Sequence, residues 1–387
     1  MTSKRPVPLK TLFASVLGAL LLSACQTPPT AQNAAPVQTA AAAGSQPSFR
    51  QDIIAGAYEV LAAPDSKQLF VAATPVFEDR TPGYVHVLDQ DTLRESQRIQ
   101  LPRRAFALGL NTRTHTLYIG NTLDGSLTAL DSRNGAIKHT IQLGKATPKG
   151  GYEHTRKVIV DEQDNRIFVT NPSEPGRVWI VDGAQGRLVH NIANVGMWPA
   201  GAAYDSKTKR LYVGQGGKDE IAVINPASGT VEQRFSTGDA VGAKREDSRH
   251  FFVNIALNSD GQKLYAADAN TGKLYVFDTT SGKVLNTVEI GLGLLDVVYN
   301  PARQEIVLTN RGVDREHPDG VGVVTIVDAN NLAIKQRIDA PVHPNSLSLS
   351  ADGQTLFVTI KAPHGDKHAD ARKGALDSVL RIDLKQV

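Results

Sequence analysis

Two stretches of the chain gather side chains that hold metals or move protons. "APHGDKHADARKG" at 362 sets His364 and His368 four residues apart beside Asp366 and Asp370, and "RGVDREHPDG" at 311 adds Asp314, Glu316 and His317. Imidazole and carboxylate donors of this kind suit zinc, copper or iron. Pro363 and Gly365 favour a loop over a helix, so the spacing alone does not put both rings on one face. His317, His364 and His368 are therefore weak ligand candidates beside a plainer reading as polar loop, and no metal or cofactor is expected. Two further stretches are basic: "KATPKGGYEHTRK" at 145 carries His154 and Arg156, and "DAVGAKREDSRHFFVN" at 239 carries Arg245 and His250. A histidine base and an arginine facing an oxyanion would serve hydrolysis, with Glu153, Glu246 and Asp247 as the available acids. None of these acids is firmly paired by spacing. No H-E-x-x-H, G-x-S-x-G or Walker sequence supports an enzyme either, and no catalytic residue is assigned.

The only cysteine, Cys25, lies in "LLSACQ". Lys4, Arg5 and Lys10 precede an uncharged run from Thr11 to Ala24, too short to span a bilayer. This order resembles the lipobox of bacterial lipoproteins. The resemblance implies a signal peptide over residues 1–24, a Cys25 sulfur carrying a lipid such as palmitate, and, with Gln26 next, the outer membrane. From Gln26 to Phe49 there is no charge, and Ala, Gln, Thr, Pro, Gly and Ser dominate. Such a segment buries too little apolar surface to offset its ordering, so 25–48 reads as a flexible tether. A lipidated sulfur also leaves no thiol for catalysis or a disulfide.

The elements that must position the histidines and arginines repeat. "LFVAAT" at 69, "LYIGNT" at 117, "IFVTNP" at 167, "LYVGQG" at 211, "LYAADA" at 264, "IVLTNR" at 306 and "LFVTIK" at 356 share one plan. Each is followed by an apolar stretch ending at Asp89, Asp131, Asp182, Asn225, Asp278, Asp328 or Asp383, residues read as turn formers rather than acids of a site. Tight-turn sequences such as "SDGQK" lie between. The pattern predicts an all-β, seven-bladed β-propeller of four-stranded antiparallel blades over 49–387. The last unit stops after its third strand. "FRQDIIAG" at 49 resembles the missing fourth, so the N-terminal strand is expected to close the ring and remove an exposed edge.

With strands named A to D from axis to rim, the B-to-C and D-to-A loops share one face. Blades one, six and seven have the longest B-to-C loops, and the D-to-A connections before blades three and five are extended. Loops on a rigid scaffold are where binding resides. Arg104, His154, Arg156, Trp198, Arg245, His250, His343 and Asn345 fall at A-strand starts or in these loops and are the candidate ligand-binding residues, with Tyr152 beside them. Removing the three cations of the signal peptide leaves 39 Lys and Arg against 39 Asp and Glu, so bulk charge gives no support to nucleic-acid binding. A basic mouth on a neutral body would still focus an anion locally.

"FVTN" at 168, "IVLTN" at 306, "HFFVNIALNSDGQKLYAADANTGKLYVFDT" at 250 and "PVHPNSLSLSADGQTLFVTIK" at 341 resemble the YncE-like, YVTN-repeat family of seven-bladed propellers. This resemblance covers residues 50 to 387. It implies an extracytoplasmic protein without established catalysis, a link to iron-limited growth, and binding of DNA, especially single strands, for which Trp198 or Tyr152 would stack a base. The leading expectation is a non-enzymatic binding or scaffold lipoprotein, monomeric, anchored by lipid in the outer membrane with its propeller in the periplasm. Its partners would be a membrane receptor or other periplasmic protein, or an anionic ligand such as a ferric siderophore. The alternatives are single-stranded DNA binding at the mouth and a lactonase-like hydrolase, since lactonases also use seven-bladed propellers.

Overall fold

The structure is a computed structural model that describes residues 48–78, 81–239, 248–313, 317, 319–341, 343–362, 368 and 371–387. Cys25, Arg245 and His364 lie outside the described residues, as do Glu246, Asp247, Asp314, Glu316, Asp366 and Asp370. The described part is seven four-stranded antiparallel sheets forming a β-propeller. In blade one, strand A is Ala57–Ala62, B is Gln68–Ala73, C is Gly83–Asp89 and D is Glu95–Leu101. Blade seven joins A, Pro344–Leu349, B, Thr355–Ile360, and C, Asp377–Asp383, to the chain's first strand, Ser48–Ile54, which serves as D. The expected closure is therefore present, with Ser48 paired to Ile382 and Gln51 to Val379.

The repeat sequences explain the packing. A B strand is an unbroken apolar run because both faces of its sheet are covered by neighbouring blades. Leu69, Phe70, Val71, Ala72 and Ala73 are all fully buried. The core divides into seven clusters, each shared by two adjacent blades. Phe70 and Val85 of blade one meet Leu108 and Ile119 of blade two. At the seam, Ile54, Val379 and Phe357 of blade seven meet Val60, Leu69 and Val71 of blade one. D strands such as "ESQRIQL" keep one face in water and alternate accordingly.

The acid or amide ending each C strand caps the following turn. Asp89, Asp131, Asp182, Asn225, Asp278, Asp328 and Asp383 each accept a hydrogen bond from the backbone N–H two or three residues ahead. The Thr92 hydroxyl and nearby amides hold the Asp89 carboxyl below its ordinary range. Five A strands, those of blades one, four, five, six and seven, begin with a register shift, as between Ala57 and Val60. Such bulges re-aim side chains, here at the inner ends of the blades. Among the described residues no helix is long and apolar enough to cross a membrane.

Candidate ligand site at the channel mouth

Strand pairing fixes equivalent positions around the axis. Val60, Leu108, Val158, Ala202, Ile255, Val297 and Leu347 each face the third residue of their B-strand repeat. The residues just before them, Glu59, Ala107, Lys157, Gly201, Asn254, Asp296 and Ser346, form one level. The next level toward the mouth is Tyr58, Phe106, Arg156, Ala200, Val253, Leu295 and Asn345. Two residues further out lie Gly56, Arg104, His154, Trp198, Phe251, Gly293 and His343. The outermost set is confirmed by its bonding. In five blades its carbonyl accepts the N–H that follows strand B, from Thr74, Gly216, Ala269, Arg311 or Lys361. In blades two and three the Asn121 and Asn171 side chains donate to Arg104 and His154 carbonyls instead.

The deepest of these levels carries a cluster of coupled charges. Lys157 Nζ reaches past blade two, whose residue there is the small Ala107, and donates to Glu59 Oε1 at 2.8 Å. Glu59 also accepts the Leu108 N–H, and Asp296 accepts the Leu347 N–H, so both acids fasten one blade to the next. Burial opposes the Lys157 charge, but Glu59 and Asp296 together leave its pKa raised. Burial raises Asp296 despite the attraction of Lys157.

The level above holds a pair of aromatic rings flanked by cations. Lys361 Nζ lies 4.0 Å from the Tyr58 ring centroid, Tyr58 lies 4.4 Å from Phe106, and the Arg156 guanidinium carbon lies 5.2 Å from Phe106. Phe77 meets Tyr58 edge-on at 5.5 Å. Lys361 is already committed to the Ala57 carbonyl and Asp377. Arg156 and Arg311 are different: among the described residues neither guanidinium bonds a carboxylate. Burial lowers the pKa of Arg156 even though Glu59 and Asp296 favour its charge. Arg311 is exposed, but the protein around it and then repulsion from Arg156 lower its pKa. Burial and Asp377 push Tyr58 up to about 12, so its hydroxyl remains a neutral donor. Beside the rings, a cavity of about 620 Å³ is lined by Tyr58, Thr74 and Phe77 of blade one and by Lys361, Arg372, Leu376 and Asp377 of blade seven.

The chain is 31% identical over 338 residues to a Salmonella typhi protein described as "Uncharacterized protein YncE", covering 87% of this chain and 90% of the relative. The Escherichia coli K12 relative of the same description is 30% identical over 379 residues, covering 97% and 99%. The chain belongs to the YncE family. No family model matches it. Solved structures share this family member's fold: the RRP9 WD40 repeats at a TM-score of 0.65 and 12% identity, covering 87% of this chain and 97% of that one, and a Kuenenia stuttgartiensis hydrazine synthase chain at 0.61 and 15%, covering 79% and 92%.

Within this YncE-family propeller, Arg104, His154, Trp198 and His343 occupy the same outer level in four blades, and Arg156 and Asn345 share the level below. Arg104 is held by a paired bond to Asp124, donates to the Phe77 carbonyl, and is 4% exposed. His154 is exposed, with burial of its surroundings and then Arg104 lowering its pKa. Asn345 donates to the Tyr58 carbonyl at 3.4 Å. Trp198 and Phe251 flank Gly216. Tyr152 is exposed in the loop before blade three, where Ala146 bridges to it. His250 is 1% exposed, its two nitrogens 2.6 Å from Asp268 and 2.8 Å from Asp239. Both nitrogens are thus engaged by carboxylates, an arrangement that fixes a loop and leaves neither free as a base.

His368 Nε2 lies 3.3 Å from the Gly320 carbonyl, joining the long loops of blades six and seven; His317 is exposed in the same sector. Among the described residues no group of three or more His, Cys, Asp or Glu gathers in metal-binding geometry. Tyr58, Glu59, Phe106, Asp296, Arg311 and Lys361 also belong to these contacts and are not among the residues that the sequence singles out. Arg311 and Lys361 end "IVLTNR" and "LFVTIK", so comparing sixth positions across the repeats would have found them.

Proposed function

We propose that this YncE-family chain is a non-enzymatic binding scaffold whose channel mouth takes an anionic ligand. The carrying observation is the pair Arg156 and Arg311, two guanidinium groups near the mouth that bond no carboxylate among the described residues, with burial opposing both charges and Arg156 opposing that of Arg311. An anion placed between them relieves that strain, and Tyr58 and Phe106 supply an apolar wall. The lipobox-like sequence supports a lipid-anchored protein with the propeller in the periplasm, and the mouth lies at the end of the propeller opposite Ser48. A ferric siderophore or an acidic segment of a membrane receptor fits the same chemistry.

The second reading is single-stranded DNA binding, favoured by the Tyr58–Phe106 pair set between cations, where bases stack. Fluorescence anisotropy with labelled polyglutamate and labelled oligothymidylate, on wild type and R156A/R311A, tests both. Binding of at least one probe should weaken steeply with salt and by roughly tenfold or more in the double variant. Salt-insensitive binding, or equal binding by the double variant, would sink both readings. Lipid anchoring is tested separately: C25S should lose lipidation and membrane association while the propeller still folds.

A further inference from the structure

The apolar surface around the mouth is uneven. Nine large apolar side chains are exposed among the described residues: Ile137, Leu285 and Ile334 lie on outer D strands and Tyr152 in the loop before blade three, while the other five, Val76, Phe77, Leu292, Val321 and Leu376, lie in top-face loops of blades six, seven and one. Val321 is 62% exposed. These loops form one sector. The Gly312 N–H donates to the Leu292 carbonyl, Val321 packs over Gly312, His368 reaches Gly320, and Leu376 and Phe77 line the cavity beside Tyr58. Arg311, Arg372 and Lys373 interleave with them, and Arg156 lies near enough to Arg311 to repel its charge. Exposed aliphatic and aromatic groups clustered with cations suit a partner bearing the complementary mixture.

We infer that this sector docks an extended protein segment of alternating acidic and apolar residues, its acids meeting Arg156 and Arg311 and an apolar side chain entering the cavity between Phe77 and Leu376. The inference rests on the anion-binding reading of the mouth and names its partner class. A nucleic acid matches the sector less well. Its interfaces are more polar and more uniformly cationic, whereas Asp377 lines this cavity and Val321 and Leu376 offer nothing to phosphate. The cavity of about 620 Å³ holds a few side chains.

The test uses the full chain and four labelled probes: a twelve-residue peptide alternating Asp or Glu with Leu or Phe, the same peptide with Ser for Leu and Phe, the same with Lys for the acids, and oligothymidylate. The acidic-apolar peptide should bind best, lose roughly tenfold when its apolar residues become Ser, and lose about as much on R156A. Phe77→Ser and Val321→Ser, exposed positions whose melting temperatures report intact folding, should each weaken it several-fold. Equal binding of the Ser peptide, with R156A still weakening it, would overturn the docking inference and leave the anion site standing. Tighter binding of oligothymidylate would overturn it in favour of nucleic acid. Binding of none of the four would remove both.

Discussion

His250 Nδ1 lies 2.6 Å from an Asp268 carboxylate oxygen, and the ring stacks 5.4 Å from Phe252 and meets Tyr275 edge-on at 5.5 Å. Burial alone would lower its pKa, but Asp268 and then Asp239 outweigh burial and raise it. A raised histidine stabilises the fold fully below its unfolded value, and that contribution is lost as pH rises through the folded value. Melting temperature should therefore fall as pH is raised from about 6 to about 9, and the fall should shrink in D268N. An identical pH profile for wild type and D268N would refute the linkage.

Lys157 is the only cation bonded to Glu59 among the described residues, and its loss leaves Glu59 and Asp296 facing each other's charge. K157M should cost about 3–5 kcal/mol, the scale for breaking a buried pair by removing one partner. Adding E59Q should recover part of that loss. Denaturant unfolding of the single and double variants measures both.

Arg156 should behave oppositely. Its charge is disfavoured by burial and it bonds no carboxylate among the described residues, so R156A should change stability by no more than about 0.5 kcal/mol or raise it. The same variant should lose anion binding. Destabilisation by several kcal/mol with unchanged binding would show a structural arginine instead.

Gly56 has φ +73°, and a Cβ there would sit 2.0 Å from the carbonyl oxygen of Thr74, the residue whose N–H closes the outer level on the Gly56 carbonyl. G56A should destabilise by about 1–3 kcal/mol through strain and displaced backbone. Thermal unfolding reads this directly, and an unchanged melting temperature would mean that the mouth rearranges freely.

Ile54 is fully buried at the seam between blades seven and one. I54A should cost about 2–5 kcal/mol. A much smaller loss, measured by chemical unfolding, would mean that the N-terminal strand contributes little to closure.

The repeats by themselves determined the seven blades, the strand-end turns and the closure by the N-terminal strand. The blades and turns recur often enough in the chain to be read without contacts, and the closure follows from the one unit that lacks its fourth strand. They also placed Arg104, His154, Trp198 and His343 at blade starts, because position within a repeat is a property of the sequence. Direction was not legible there. Whether a residue at a blade start faces the axis depends on the bulge that opens most A strands and on what the adjacent blades present. Arg104 finds Asp124 and is buried with it, while Arg156 finds the Phe106 ring and bonds no carboxylate among the described residues. The pairing of Lys157 with Glu59 joins residues nearly a hundred positions apart across a small alanine. Only closing the ring brings such groups together, since it sets distances around the axis that no single blade contains.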